Sequence, residues 1–306
     1  MTLSTLSNEQ IQATQNFRDA FSHIAPPRRS ISACLTSEQE EALSSYRAAF
    51  NLKPKDVWNT AQLPSNTTED ELNLLNDFKS KLDKEGTLKN EHDIEYATDV
   101  RLLQYLRARD NNLEKSYAMF LNTLAWRKEE KPWLMEVVND NIEKTNADAR
   151  IVGFDVKGRV VVYSSFANAG KRTPRDVQVT TASVLEKSAR CLNAGSPGNV
   201  MWINHFGSRH KNGFGFRDCN PAFCFSGIDI FNNHYPECLQ VMIIVDPPSI
   251  FYSLWAVIKP VLPLKTQEKA MFVNSREVEK NRKTFDELFG AELSEYLLKR
   301  ITLDAS

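Results

Sequence analysis

Apolar positions recur with a helical period in the first half of the chain and mostly with a strand period in the second. The stretch 1–65 is mainly polar. Within it Ser7 with Gln10, and Thr36 with Gln39, have the spacing of a capping box. Each pair precedes a weakly apolar helical segment, the two ending near Phe21 and Phe50, with Ala25-Pro26-Pro27 between them. From Thr68 the signal sharpens. Thr68 and Glu71 form another capping box, and Leu72, Leu75, Phe78 and Leu82 make one stripe closed by Gly86. Val100, Leu102, Leu103, Tyr105 and Leu106 predict a compact helix with Arg107 and Arg109 in its last turn. Asn112 caps a further one through Tyr117, Phe120, Leu121, Leu124 and Trp126. These signals predict an all-helical unit over 66–145.

After residue 146 the period changes. Arg150–Phe154 and Arg159–Tyr163 flank Asp155-Val156-Lys157-Gly158, a hairpin signature. Thr173-Pro174 opens a helix that Gly195 ends, and Val200–Ile203 reads as a short strand. Asn220-Pro221 opens another helix toward His234. Val241–Val245 is a continuous apolar run, as in a strand covered on both faces. A helix over 249–259 and a strand at 271–273 follow. Strands alternating with helices predict an α/β lobe over 146–306, with a partly parallel sheet and helices packed on it.

Composition narrows the function classes. Across 306 residues the formal net charge is −1, so no global positive field draws the chain to nucleic acid or anionic membranes. Cys34, Cys191, Cys219, Cys224 and Cys238 include no CxxC pair and no metal-ligand spacing, so they read as small core residues of a reducing compartment. The opening MTLSTLSNEQ lacks the features of a signal peptide, and no apolar run reaches the roughly 20 residues of a membrane span. A cytoplasmic setting is expected.

The short motifs carry little chemistry. Gly170-Lys171-Arg172-Thr173 has Ser165 where a phosphate-binding loop needs its first glycine, and an arginine after the lysine. Gly213-Phe214-Gly215 lacks a strand-to-helix context, and His205 with His210 is poorly spaced for a shared metal. No nucleophile has a recognisable partner. The expectation is no catalytic residue, no metal and no cofactor. More telling is the block 248–262, apolar almost all round. Phe251, Leu254, Trp255 and Ile258 share one helical face, while Ile250, Val257, Val261 and Leu262 cover most of another. Such a helix is either core or a gate, closing an apolar cavity on one side and meeting a membrane on the other. Lys259, Lys265 and Lys269 around it suit lipid headgroups.

From Thr98 to Gly290 the chain resembles the CRAL-TRIO lipid-binding proteins, in particular the secretory phosphatidylinositol/phosphatidylcholine transfer proteins. Six pieces occur in the family's order. Leu102-Leu103-Gln104-Tyr105-Leu106-Arg107-Ala108-Arg109 looks like "LLRFLRAR", and Trp126-Arg127 like the pair ending the next helix. Gly158–Tyr163 is similar to "GRPVVY", and His234-Tyr235-Pro236-Glu237 is "HYPE". Ile258–Leu262 resembles "KPFL", and Phe289-Gly290 the terminal glycine turn. The resemblance implies a helical N-terminal subdomain followed by a mixed, largely parallel sheet whose helices enclose an apolar lipid pocket. It implies one lipid per molecule, exchanged at transient membrane contacts without catalysis, with a phosphatidylinositol-type phospholipid as the leading occupant. A neutral isoprenoid carrier, or a module regulating small GTPases, are the rival readings. By motif position the headgroup residues are Arg109, Glu237, Thr266 and Lys269. Two departures bear on them: Asp110 where that branch has lysine, and Cys238 where it often has arginine. The pocket itself is expected to use Met201, Ile203, Ile243 and Val245, with Phe251, Leu254, Trp255 and Ile258 on the gate.

Overall fold

The computed structural model describes residues 63–135, 148–166, 173–190, 198–207, 221–262 and 264–305, with five single positions before residue 63. The helical segments expected before residue 62, the 170–172 loop, His210, Gly213–Gly215, Cys34, Cys191 and Cys219 lie outside the described residues.

The helical unit is built by its caps. Helix α1 (Glu69–Lys84) starts at the predicted capping box, with Glu71 N–H donating to Thr68 Oγ1 and Thr68 N–H to the Glu71 carboxylate. Leu75, Phe78 and Leu82 are buried, while Leu72 sits at the solvent edge of the stripe. A short α2 (Glu91–Tyr96), capped by Asn90, has no counterpart in the sequence reading because six residues carry too little periodicity. Helices α3 (Asp99–Ala108) and α4 (Leu113–Glu130) are capped by Thr98 and Asn112. Between them Asp110 and Asn111 both adopt positive φ, 51° and 58°, which Asp and Asn tolerate better than most residues.

The lobe is one five-stranded sheet of β1 (Asp148–Phe154), β2 (Val160–Ser165), β3 (Val200–His205), β4 (Leu239–Val245) and β5 (Ala270–Val273), in that spatial order. β1 and β2 form the predicted antiparallel hairpin; the remaining neighbours are parallel. Asp155 fixes the hairpin turn, its carboxylate accepting from the Lys157 and Arg159 amides and from the Arg159 side chain, and Gly158 takes φ 76°. The parallel steps are made by α5 (Pro174–Arg190), α6 (Pro221–Asp229, continuing as a π-helical turn Ile230–His234) and α7 (Ser249–Ile258) with its 3₁₀ turn Lys259–Val261. A right-handed crossover always steps the same way, so strands taken in sequence keep all three connections on one face. The opposite face is covered by α9 (Val278–Phe289) and α10 (Ala291–Ala305), which the sequence reading did not place. A four-residue α8 (Leu264–Gln267) precedes β5.

The helical unit and the lobe share one core. Leu75, Phe78, Phe120, Tyr96 and Tyr105 pack in the same cluster as Val160, Val162, Val200 and Tyr235. Buried charge is paired across this seam: Arg127 of α4 reaches Glu186 of α5 at 2.6 Å, both essentially without solvent contact. Tyr235 O–H donates to the same carboxylate, and the Arg127 guanidinium lies 3.9 Å from the Tyr96 ring centre. Removing one partner of such a pair strands a buried charge, so the seam specifies how the helices seat.

Candidate functional site

Alternation along the strands decides what faces the crossover helices. In the parallel register Val162, Trp202 and Met242 lie side by side, as do Ser164, Asn204 and Ile244. Trp202, Asn204, Met242 and Ile244 line a cavity of about 270 Å³ between the sheet and helices α5, α6 and α7. Met201, Ile203, Ile243 and Val245, expected in the pocket, are the intervening residues. All four are fully buried on the opposite face, against Phe285, Phe289, Leu297 and Ile301. The correction follows from the two-residue period: a one-residue change of phase moves every side chain to the other face.

The cavity walls are apolar and aromatic, with Phe166, Phe206, Phe223 and Phe231 beside the strand residues. None of the described lining residues carries a charge. Trp202 Nε1–H donates to Ser164 Oγ at 2.9 Å, which leaves the serine hydroxyl hydrogen for a second partner. Ser165, Thr180, Thr181, Asn204, Asn232 and Thr266 add further hydrogen-bonding groups.

Helix α7 closes one side. Phe251, Leu254 and Ile258 are buried, and together with Leu262 they pack on Phe206 and Ile244. Phe251 meets Phe206 edge-on at 4.7 Å. Of these, Phe251, Ile258, Leu262 and Trp255 border the cavity itself, while Leu254 belongs to the packing behind it. Leu262 thus joins the inner face rather than the outer one. The outward side consists of Tyr252 and Val257 of α7, Val261 of its 3₁₀ turn and Leu264 at the start of α8, between 52% and 74% exposed, with Lys259 and Lys265 also exposed beside it. An apolar face of this size on a helix whose other face is buried marks an interaction surface.

The four candidate headgroup residues are only partly brought together. Lys269 Nζ donates to Glu237 Oε2 at 3.1 Å, and the two side chains are 21% and 34% exposed. Glu237 is held at φ 53°, with its carbonyl accepting from Asn199. Thr266 lines the cavity, and its carbonyl accepts from the Lys269 amide, so it links the cavity to this ion pair. Arg109 stands apart. It caps α3 and lines a second cavity of about 590 Å³ with Lys115, Met119, Asn122, Asn233 and His234. Its neighbour Arg107 instead makes a two-pronged bridge to Glu71, which lowers the Glu71 carboxyl below its usual range. At the other departure, Cys238 is buried against Arg101 and Gln104, and burial pushes its thiol up. His234 stacks on Trp126 at 4.0 Å, and burial depresses it to about 4, so the imidazole is neutral at physiological pH. Among the described residues no cluster of three or more His, Cys, Asp or Glu could hold a metal, and no helix is long and apolar enough to cross a membrane.

Trp202, Asn204, Met242 and Ile244 were missed because both faces of β3 and β4 are equally apolar. Polarity did not separate the faces either, since Ser164 and Asn204 put a polar pair on the cavity side and Tyr163 and His205 put one on the packed side.

Comparisons with known proteins agree with this architecture. The chain is 26% identical over 189 residues to Patellin-3 of Arabidopsis thaliana, covering 57% of this chain and 38% of that protein. It is 28% identical over 188 residues to a CRAL-TRIO domain-containing protein of Schizosaccharomyces pombe, covering 58% of this chain and 41% of that one. It is 25% identical over 191 residues to the phosphatidylinositol transfer protein CSR1 of Eremothecium gossypii, covering 58% and 42%. The match thus spans less than half the length of each of these relatives. The crystal structure of Sfh5 superposes with a TM-score of 0.54 at 13% identity, covering 78% of this chain and 99% of that one, a likeness of fold. The CRAL/TRIO domain family model matches residues 149–294, which take in the sheet from Ala149 of β1 through β5, the cavity and its closing helix.

Proposed function

We propose that the chain carries one lipid molecule in the cavity beneath α7 and passes it between membranes, acting as a carrier and not as an enzyme. The observation that carries this reading is the hollow between the sheet and α7, dry-walled and closed by a helix whose other face is apolar and exposed. Two acyl chains with roughly 30 methylenes cost on the order of 24 kcal/mol to expose to water, so only an enclosed route moves them quickly. A cavity of about 270 Å³ lies at the small end for a ligand site, so a two-chain lipid requires α7 to swing outward. That movement exposes Phe251 and Ile258, and a bilayer is the surroundings that bury them again.

A phosphatidylinositol-type phospholipid is the leading occupant. Its tails lie against Trp202 and Met242, and its headgroup meets Thr266 and the Lys269–Glu237 pair, where a cation suits the phosphate and a carboxylate the inositol hydroxyls. The uncharged walls favour a second reading, a neutral lipid whose single hydroxyl or carbonyl bonds Ser164 or Asn204. A module that only docks a small GTPase needs no hollow, so the cavity counts against that role. Lipid extraction and mass spectrometry of the purified protein separate the first two: an inositol phospholipid supports one, a neutral lipid the other. Recovery of no lipid, together with no exchange of fluorescent phosphatidylinositol between vesicles, rejects the carrier.

A further inference from the structure

On the face away from the cavity, a buried chain of polar groups runs from the last helix to the root of α7. Arg300 pairs with Asp304 at 3.0 Å, both on α10. Tyr163 of β2 donates its hydroxyl hydrogen to Asp304 Oδ2 at 2.9 Å. A phenol has one hydrogen, so the Tyr163 oxygen can only accept from His205 Nδ1, 2.9 Å away on β3. The carboxylate on α10 thereby sets the tautomer of a histidine two strands removed from it in the chain of contacts. With its proton on Nδ1, His205 presents a bare lone pair at Nε2. That atom is buried and has no hydrogen-bond partner. It faces Asp246 Oδ2 at 3.8 Å. Two acceptors thus confront each other in a site where the imidazole has no solvent contact.

Asp246 is the hinge of the closing helix. It follows β4 directly and lies three residues before α7 begins at Ser249. It is held at φ 50°, its amide donating to Val273 O and its Oδ1 accepting from the Ser275 amide, so the end of β5 clamps it. Among the described residues, the charged groups around the imidazole are Asp246 after β4, and Asp304 and Arg300 on α10. The Asp246 side chain is 25% exposed, which gives a proton from solvent a way in.

We propose that His205 is a proton-operated latch on the hinge of α7. A proton added at Nε2 converts the acceptor–acceptor contact into a charge-assisted N–H···O bond to Asp246. Protonated, His205 holds Asp246 and the root of α7 in the closed arrangement; neutral, it leaves that root held by the β5 clamp alone. Acidification therefore slows opening of α7, and a rise in pH frees it.

Hydrogen exchange of the segment 246–258, corrected for the intrinsic pH dependence of exchange, reads the hinge without any ligand, so the result is independent of what the cavity carries. In the unmodified protein, protection of these amides is expected to rise about tenfold between pH 7.5 and pH 5.5, an ordinary size for coupling between two sites. His205→Asn and Asp246→Asn should each abolish that rise while circular dichroism shows the fold intact, and the second keeps the test decisive if the first fails to fold. Protection that does not change with pH, or that changes equally in either variant, overturns the latch.

Discussion

The two faces of the sheet are built from alternate residues of the same strands, yet one is packed solid and the other is hollow. On the solid face Met201, Ile203, Ile243 and Val245 meet α9 and α10, two consecutive helices laid against the sheet through Phe285, Phe289, Leu297 and Ile301. On the hollow face Trp202, Asn204, Met242 and Ile244 meet three crossover helices that belong to different strand-to-strand steps. Helices tied to separate strands leave space between them; a helical pair arriving after the sheet is complete can close down on it. Close packing is concentrated on one face and open space on the other, with a pleat of one residue dividing them.

Breaking the solid face should have the largest effect. Ile243→Ala removes a fully buried side chain from close packing and should cost about 3 kcal/mol, measured as the shift of the urea unfolding midpoint. A loss below about 1 kcal/mol would mean that this face is not close-packed. Filling the hollow face tests the converse. Met242→Trp should cut retention of lipid more than tenfold, a loss of about 1.4 kcal/mol or more in binding, with unfolding changed little. If lipid is retained at wild-type stoichiometry, the space is not the ligand site. Val257→Asp with Val261→Asp changes only the outer side of α7, so stability should stay within about 0.5 kcal/mol while vesicle-to-vesicle exchange slows several-fold. Unaltered exchange would separate α7 from the membrane. A further test belongs to neither face but to the seam. His234, held at about 4 against an unfolded value near 6.5, takes up fewer protons folded than unfolded. Stability should therefore fall as pH drops from about 6.5 toward 4, and His234→Gln should flatten that slope.

The sequence made much of the order of elements readable, because caps such as Thr68 and Asn112 and the hairpin turn at Asp155 act locally, although α2, α9 and α10 escaped it. The apolar run 241–245 correctly announced a strand covered twice. Which cover was loose could not be read, since Ile243 and Ile244 are chemically the same residue and differ only in what reaches them from far along the chain. The buried face of α7 was legible for Phe251, Leu254 and Ile258 because a helical stripe is a local pattern. The headgroup set was legible only in part. Glu237 and Lys269 meet because they precede β4 and β5, which are parallel neighbours, and Thr266 lies one turn before Lys269, whereas Arg109 depends on how α3 ends, and that is set by the left-handed turn at Asp110 and Asn111.

The placement of α9 and α10 also bears on how the molecule is made. A ribosome delivers β1 through β5 before either of these helices exists, so for a time the growing sheet shows one uncovered row of isoleucine, valine and methionine to the cell. A chain cut after Val273 would keep β1 through β5 and lose that shield permanently, and its expected fate is aggregation.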